Sequence, residues 1–323
     1  MRLPSTLFLT VWLCVVTSAE ELQVNPLGRA STNSYTSIKD ALKAAKPGDT
    51  LVLFPGTHKE QVVINKDSIT FRGLQDPSAD LKPGTNDVSI EYGSHDKKED
   101  DDSATLLLDA SNFRAYNINI TNTYSSSNTA SPAISNLGDN NAFYTCGIHG
   151  KQGTFYAHKG SLFVSRSYIE GTVDVIYGRN GNAWFQGVKV GALRKGGTLT
   201  AQGREASGDD GWFVFEKGKL AIAKKADSGT KGSVYLGRPW GDYARTVFQN
   251  SNLGDVATEA GWQLYTSAQS TKNILFGEYS NTNADGPRVS WAKSMGNAEK
   301  ITNVLPKYNE WVDAGFIGVS YPV

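Results

Sequence analysis

Small and apolar residues recur every 21 positions between residues 143 and 190. They form three columns with one member per repeat: Phe143, Val164 and Phe185; Cys146, Ser167 and Val188; Ile148, Ile169 and Val190. Within each repeat the residues alternate as in short strands, with turns between them. Such columns are typical of a solenoid, because each coil buries its face only against its neighbours. The pattern predicts an all-β fold, a right-handed parallel β-helix with coils about 4.8 Å apart.

An amphipathic helix precedes the repeat region. Ile38, Ala41 and Leu42 lie at helical spacing, Ser37 is a suitable N-cap, and Pro47 ends the pattern. We expect this short helix to cap the N-terminal end of the stack and to block pairing at its edge.

Further strands are predicted at 51–54, 61–64, 68–71, 88–92, 104–108 and 116–121. The run from His95 to Asp102 mixes both signs of charge, and we interpret it as a solvated loop without a functional site. No linker or change of composition divides the chain after its first residues. We therefore expect residues 20–323 to form one domain.

The N-terminus has the features of a secretory signal peptide. Met1 and Arg2 precede an apolar run that ends at Val16, and small residues follow up to Ala19. This order predicts that residues 1–19 are cleaved and that the protein is secreted and extracellular. The mature chain would then hold one cysteine, Cys146, which we interpret as a buried core residue.

Asp174 is the most informative polar residue, because it lies in an apolar run between Val173 and Val175. A carboxylate in such surroundings costs free energy unless another group pairs with it or uses it. It is either a turn residue that caps a strand or a functional carboxylate. The 21-residue repeat places Gly153 beside it on the preceding coil, and Gln152 can offer an amide at the same place.

Several motifs follow one another between residues 35 and 312. They are Gly56-Thr57-His58-Lys59-Glu60, Ser103-Ala104-Thr105-Leu106, Asn112-Phe113-Arg114-Ala115, Gly171-Thr172-Val173-Asp174, Thr200-Ala201-Gln202-Gly203-Arg204 and Leu236-Gly237-Arg238-Pro239-Trp240. In these motifs and their order the chain resembles the pectin methylesterase (pectinesterase) family, whose members hydrolyse methyl esters of polygalacturonate. The resemblance implies a pectin-lyase-like β-helix and the same activity.

The resemblance also implies roles for particular residues. Asp174 matches the family's nucleophile, Arg238 the arginine that keeps this carboxylate ionised and aimed, and Gln152 the amide that stabilises the oxyanion. The residues expected to contact the sugar rings are Trp240, Tyr156, Tyr177 and Val173. Trp240 can instead be a packed core residue, and the Arg238–Asp174 pair can also be a structural salt bridge.

Two positions depart from the family's pattern. Gly153 stands where the family has the aspartate that protonates the departing methoxide and then activates water. The segment Ala130-Ser131-Pro132-Ala133-Ile134 lacks a second oxyanion glutamine. General acid/base help is typically worth about 10²–10⁴ in rate, and one oxyanion donor about 10²–10³. We therefore expect impaired or rerouted proton transfer.

Two residues are candidates for that proton transfer. His149 lies 21 residues before Glu170, so the two can meet on adjacent coils, although a solvent-exposed surface histidine is the simpler interpretation. Lys151 lies beside Gly153. The histidines show no metal-ligand spacing, and we expect no metal and no organic cofactor.

Three functions remain open from the sequence. The first is a secreted pectin methylesterase, the second a disabled relative that binds pectin or a partner protein, and the third an esterase or thioesterase for a smaller substrate. The presence of Asp174, Arg238 and Gln152 together favours the first. Lys plus Arg and Asp plus Glu each number 32, so no net field favours nucleic acid or a membrane as a partner. We expect a monomer that acts on methyl-esterified pectin.

Overall fold

The computed structural model of the protein describes residues 19–28, 32–74, 86–95, 97–284 and 286–322. All of the predicted signal peptide except Ala19 lies outside these residues. In the described part of the chain, no helix is long and apolar enough to cross a membrane.

The described residues form a right-handed parallel β-helix with three sheets, in which neighbouring strands pair in parallel. Its first sheet has twelve strands, in the spatial order Ser34–Tyr35, Glu21–Val24, Thr50–Leu53, Thr70–Gly73, Arg114–Tyr116, Asn141–Tyr144, Lys159–Ser165, Asn180–Gln186, Trp212–Glu216, Arg245–Gln249, Leu275–Tyr279 and Lys293–Ser294.

The other two sheets have seven strands each among the described residues. The second sheet contains Lys219–Ile222, Lys189–Ala192, Tyr168–Gly171, Gly147–His149, Asn119–Asn122, Val88–Tyr92 and Gly56–His58. The third sheet contains Arg238–Pro239, Thr200–Gln202, Ile176–Gly178, Phe155–Tyr156, Ile134–Asn136, Leu106–Leu108 and Val62–Ile64. The helices are Ile38–Ala44 and Ile301–Val304, with 3-10 turns at Asp100–Ser103, Tyr308–Glu310 and Ala314–Phe316.

The 21-residue repeat sets the register of adjacent coils, as predicted. The paired residues are Phe143 with Val164 and Val164 with Phe185 in the first sheet, and Ile148 with Ile169 and Ile169 with Val190 in the second. All of these side chains are at most 1% exposed. Burying one such side chain contributes about 1.5–3 kcal/mol, so the columns hold the stack together.

The prediction of one strand over 116–121 was wrong. The structure has two strands there, Arg114–Tyr116 in the first sheet and Asn119–Asn122 in the second, separated by a corner at Asn117. Asn117 is left-handed, with φ of 54°. The same corner recurs on successive coils, at Asn117, Thr145, Arg166, Gly187, Lys217, Asn250 and Ser280. Asparagine is one of the few residue types other than glycine that adopt this conformation readily, so Asn117 was a turn signal that the strand prediction overlooked.

The helix Ile38–Ala44 caps the stack and is fixed at both ends by side chains. Ser37 accepts from the amide of Asp40, as predicted, and Glu60 accepts from the amides of Ile38 and Lys39 at 2.8 and 3.0 Å. At the other end, the Lys66 ammonium donates to the carbonyls of Leu42, Lys43 and Ala45. These contacts satisfy the free amides and carbonyls at the helix ends.

Cys146 lies in the core, as predicted. It is fully buried, and its burial raises the pKa of the thiol to about 12. A thiol in this state is not a nucleophile at neutral pH.

Candidate active site

The candidate active site lies along the third sheet, where successive coils bring remote residues side by side. Tyr156 pairs with Tyr177 on the next coil, Tyr177 with Ala201, and Ala201 with Arg238. Asp174 and Gly153 occupy equivalent positions on adjacent coils, just before their strands in this sheet. The amide of Gly153 donates to the carbonyl of Val173 at 3.0 Å, so the neighbour predicted from the repeat is correct.

Asp174 is held by Arg238 through two parallel hydrogen bonds. The guanidinium Nε donates to Oδ1 at 2.9 Å, and Nη2 donates to Oδ2 at 2.6 Å. Such bidentate contacts fix the plane of a carboxylate as well as its position. The two side chains are 13% and 22% exposed, so the pair is largely shielded but reachable.

Thr198 is a further partner of Asp174 that the sequence did not identify. Its hydroxyl donates to Oδ1 at 2.6 Å, and it accepts from the Asp174 amide at 2.9 Å. Oδ1 therefore accepts two hydrogen bonds and Oδ2 one. The backbone of Asp174 is left-handed, with φ of 48°. Aspartate tolerates this conformation better than most residues. Gly153, at the equivalent position of the preceding coil, is left-handed too, with φ of 63°.

A cavity of about 130 Å³ opens beside Asp174. The residues that line it are Asp100, Ala130, Gln152, Gly153, Asp174, Tyr177, Ala201, Trp240 and Tyr265. Pockets that bury a drug-sized ligand are typically about 300–1,000 Å³. This cavity is smaller and suits one substituent of a larger molecule, while the rest of that molecule lies across its mouth.

The two positions at which the sequence predicts a departure from the family's pattern both line this cavity. Ala130 begins the altered 130–134 segment, and Gly153 faces it. A Cβ on Gly153 would lie 3.3 Å from the Ala130 methyl group and only 2.9 Å from Cε1 of Tyr177. The ring of Tyr177 therefore occupies space that a side chain at position 153 would need.

The aromatic residues expected at the sugar rings take different positions. Trp240 and Tyr177 line the cavity, and the guanidinium carbon of Arg179 lies 4.0 Å from the Trp240 ring centroid. Tyr156 stacks on Tyr177 at 4.2 Å and is 7% exposed, but it does not line the cavity. Tyr265, which the sequence did not single out, lines the cavity and is stacked against Arg238.

Val173 is also not among the cavity-lining residues, and its described contact is the backbone hydrogen bond with Gly153. Gln152 does line the cavity, so its carboxamide can reach a bound group there.

His149 and Glu170 meet on adjacent coils, as the repeat predicted. Nδ1 of His149 lies 3.0 Å from a Glu170 carboxylate oxygen. Both residues belong to the second sheet, however, and neither lines the cavity at Asp174. Lys151 does not line it either. Neither candidate for proton transfer is therefore placed to serve Asp174.

The interpretation of 95–102 as a solvated loop does not hold for Asp100 and Asp101, which contact the sheet. Asp100–Ser103 form a 3-10 turn that lies against the third sheet, and the Tyr177 hydroxyl donates to Oδ2 of Asp100 at 2.9 Å. Asp101 interacts with Nδ1 of His158 at 2.9 Å and accepts from the Ser135 hydroxyl. Asp100 and Asp101 are half-buried against the sheet, whereas Lys97, Lys98, Glu99 and Asp102 are exposed.

Asp100 has an altered acidity. Burial, the largest cause, raises the pKa of its carboxyl above the usual value, and the neighbouring charges of Asp101 and Glu99 act in the same direction. The hydrogen bond from Tyr177 and the charge of His158 oppose this effect. No cluster of potential metal ligands is present among the described residues.

The parallel β-helix, the arginine-held carboxylate beside its third sheet and the relatives of the chain together place it in the class of the carbohydrate esterases. A family model described as Pectinesterase matches residues 27–308, which is most of the chain. The chain belongs to the pectinesterase family.

Individual relatives agree with this assignment. A pectinesterase from Aspergillus aculeatus is 34% identical over 299 residues, which cover 88% of this chain and 90% of that protein. The crystal structure of the pectin methylesterase from Aspergillus niger superposes with a TM-score of 0.82 at 30% identity, covering 91% of this chain and 97% of the other. The pectin methylesterase from carrot gives a TM-score of 0.73 at 26% identity, covering 85% and 87%.

Proposed function

We propose that this protein is a secreted pectin methylesterase in which Asp174 is the nucleophile. The observation that carries the proposal is the bidentate Arg238–Asp174 pair at a cavity large enough for one substituent. A methyl ester fits such a cavity, and the half-buried ring of Trp240 and the exposed ring of Tyr265 in its lining suit the faces of sugar residues. The first residues of the chain, with their signal-peptide pattern, support secretion.

The geometry suggests which oxygen attacks. Oδ1 of Asp174 accepts from both Arg238 and Thr198, whereas Oδ2 accepts from Arg238 alone. Oδ2 therefore has the more available lone pair and forms the bond to the ester carbonyl carbon. The carbonyl oxygen becomes an oxyanion, which the Gln152 carboxamide stabilises from the cavity wall.

A binding protein without turnover is the competing function, and the position of the carboxylate argues against it. A site that only binds anionic polygalacturonate gains nothing from a carboxylate in its centre, because like charges repel. Asp174 is also fixed in one orientation by Arg238 and Thr198. An oriented carboxylate is what a nucleophile requires.

The test is methanol release from highly methylated pectin by the mature protein and by Asp174→Asn. We expect the parent to release methanol and Asp174→Asn to lose at least about 10⁴-fold in kcat, because the amide is not a nucleophile. Asparagine can still accept hydrogen bonds from Thr198 and Arg238, so circular dichroism should show a folded protein. A parent that binds pectin but releases no methanol would establish the binding function instead.

A further inference from the structure

We propose that Asp100 is the general acid and base of this site and replaces the carboxyl group that is missing at position 153. This inference rests on the proposed esterase function and adds a catalytic residue to it. Asp100 lies far from Asp174 in the sequence, but both line the same cavity. It belongs to the 3-10 turn Asp100–Ser103, which lies outside the regular coils.

Tyr177 contacts both the space beside Gly153 and the carboxyl group of Asp100. Its ring occupies the space beside Gly153, with Cε1 2.9 Å from where a Cβ would be, and its hydroxyl donates to Asp100 at 2.9 Å. One side chain thus fills the vacated volume and holds the substitute carboxyl at the same wall. The absence of a side chain at position 153 is therefore linked to the position of the Asp100 carboxyl group through Tyr177.

The turn that carries Asp100 is anchored, so the carboxyl is preorganised. Asp101 contacts His158 and Ser135, and Gln61 donates to the carbonyls of Asp102 and Ala104, each at 2.8 Å. A carboxyl that is held in place by its neighbours contributes more to catalysis than one on a free loop.

The surroundings also suit a group that must start protonated. Burial and the charges of Asp101 and Glu99 raise the pKa of Asp100, against the opposing effects of Tyr177 and His158. A raised pKa increases the fraction of Asp100 that carries its proton at mildly acidic pH, where Asp174 must be ionised to attack. Two carboxyl groups in different environments can therefore take different roles.

The reaction balances with these two groups. Oδ2 of Asp174 bonds to the ester carbon, and the oxyanion collapses while the carbon–methoxy bond breaks. Methoxide takes the proton of Asp100 and leaves as methanol. The Asp100 carboxylate then removes a proton from water, whose oxygen attacks the acyl carbon of the Asp174 anhydride. Asp174 leaves as a carboxylate, the product is a galacturonic acid group, and Asp100 is protonated again.

The test compares Asp100→Asn with Asp102→Asn, the same substitution on an exposed side chain two residues further on. Asparagine can still accept the hydrogen bond from Tyr177 but cannot donate an acidic proton. We expect Asp100→Asn to release methanol about 10²–10⁴-fold more slowly than the parent, and Asp102→Asn to match the parent. Methanol release by Asp100→Asn within about threefold of the parent would overturn the proposal.

A p-nitrophenyl ester of an oligogalacturonate separates proton transfer from a structural role. Nitrophenolate leaves without a proton, so Asp100→Asn should keep an initial burst within about 10-fold of the parent, followed by a slow steady state when water must be activated. Equal loss of burst and steady state would mean that Asp100 is structural, and the proposal would fall. A parent inactive on both esters would instead refute the esterase function itself.

A second variant tests the idea if Asp100→Asn does not fold. Tyr177→Phe removes a hydrogen bond that lowers the pKa of Asp100, so the alkaline limb of the kcat–pH profile should move to higher pH. An alkaline limb at the same pH as in the parent would show that Asp100 does not set it.

Discussion

The two sides of the cavity differ in how their polar groups are supplied. Asp174, Arg238 and Thr198 come from corners and strands of consecutive coils and are joined by four hydrogen bonds. Elsewhere in the lining of the cavity, the coils contribute Ala130 and Gly153, and the second carboxyl group is that of Asp100 in a turn outside the coils. A nucleophile must be held in position and orientation, which the rigid coils provide. A proton donor needs only to reach the leaving oxygen, so another segment can supply it.

The largest expected effect comes from placing an aspartate at position 153. In Gly153→Asp the new Cβ would meet the Tyr177 ring at 2.9 Å, on a backbone with φ of 63°. We expect a loss of about 1–3 kcal/mol in the free energy of unfolding and no gain in methanol release. Gly153→Asp with Tyr177→Phe, which frees the ring from Asp100, should release methanol at least about 10-fold faster than Gly153→Asp alone.

Urea unfolding and methanol release measure these effects, and Gly153→Ala is the control for strain without a carboxyl. If Gly153→Asp alone were more active than the parent, the ring of Tyr177 would not be an obstacle. The coils could then supply the second carboxyl group as well as the nucleophile.

The next prediction concerns the side of the cavity that holds Asp174, Arg238 and Thr198. Thr198→Val keeps the shape of the side chain but removes the hydrogen bonds with the Asp174 carboxylate and amide. A hydrogen bond to a charged group is worth about 1.5–3 kcal/mol, so we expect kcat to fall about 10-fold or more. Thr198→Ser, which retains the hydroxyl, should stay close to the parent in the same methanol assay. Equal activity of the valine and serine variants would show that Thr198 does not orient the nucleophile.

The smallest effect concerns the pH dependence of stability. The folded-state pKa of Asp100 is raised above its ordinary value, so the folded protein binds this proton more tightly than the unfolded chain does. The penalty is absent at low pH and develops as pH rises through the folded-state pKa. The urea midpoint of the parent should therefore decrease relative to that of Asp100→Asn as pH rises. A constant difference across pH would mean that Asp100 titrates normally.

The rigid side was largely predictable from the sequence. The period of 21 residues places Asp174 beside Gly153 and aligns the columns that hold the coils in register. The motifs that contain Asp174 and Arg238 identified these two residues as partners. Thr198 was missed because it lies 24 residues after Asp174, where the coil is longer than the repeat that revealed the pattern.

The position of Asp100 could not be predicted from the repeat. Asp100 stands in a charged run between two strands, and no period relates it to Tyr177, which is 77 residues away. Tyr177 contacts Asp100, and Ser135 and His158 contact the adjacent Asp101; these three residues become neighbours only after the coils have stacked. Charge composition alone suggested solvation, because it contains no information on these partners.

The helix at the N-terminal end has a consequence for how the molecule is assembled. Its seven residues are too few to persist in isolation, and Glu60 and Lys66, which hold its two ends, follow it in the chain. We expect the helix to remain unformed during synthesis until the first coil has left the ribosome, and to close the stack only then. One acid and one base of a single coil, Glu60 and Lys66, thus fix the helix at the N-terminal end of the solenoid.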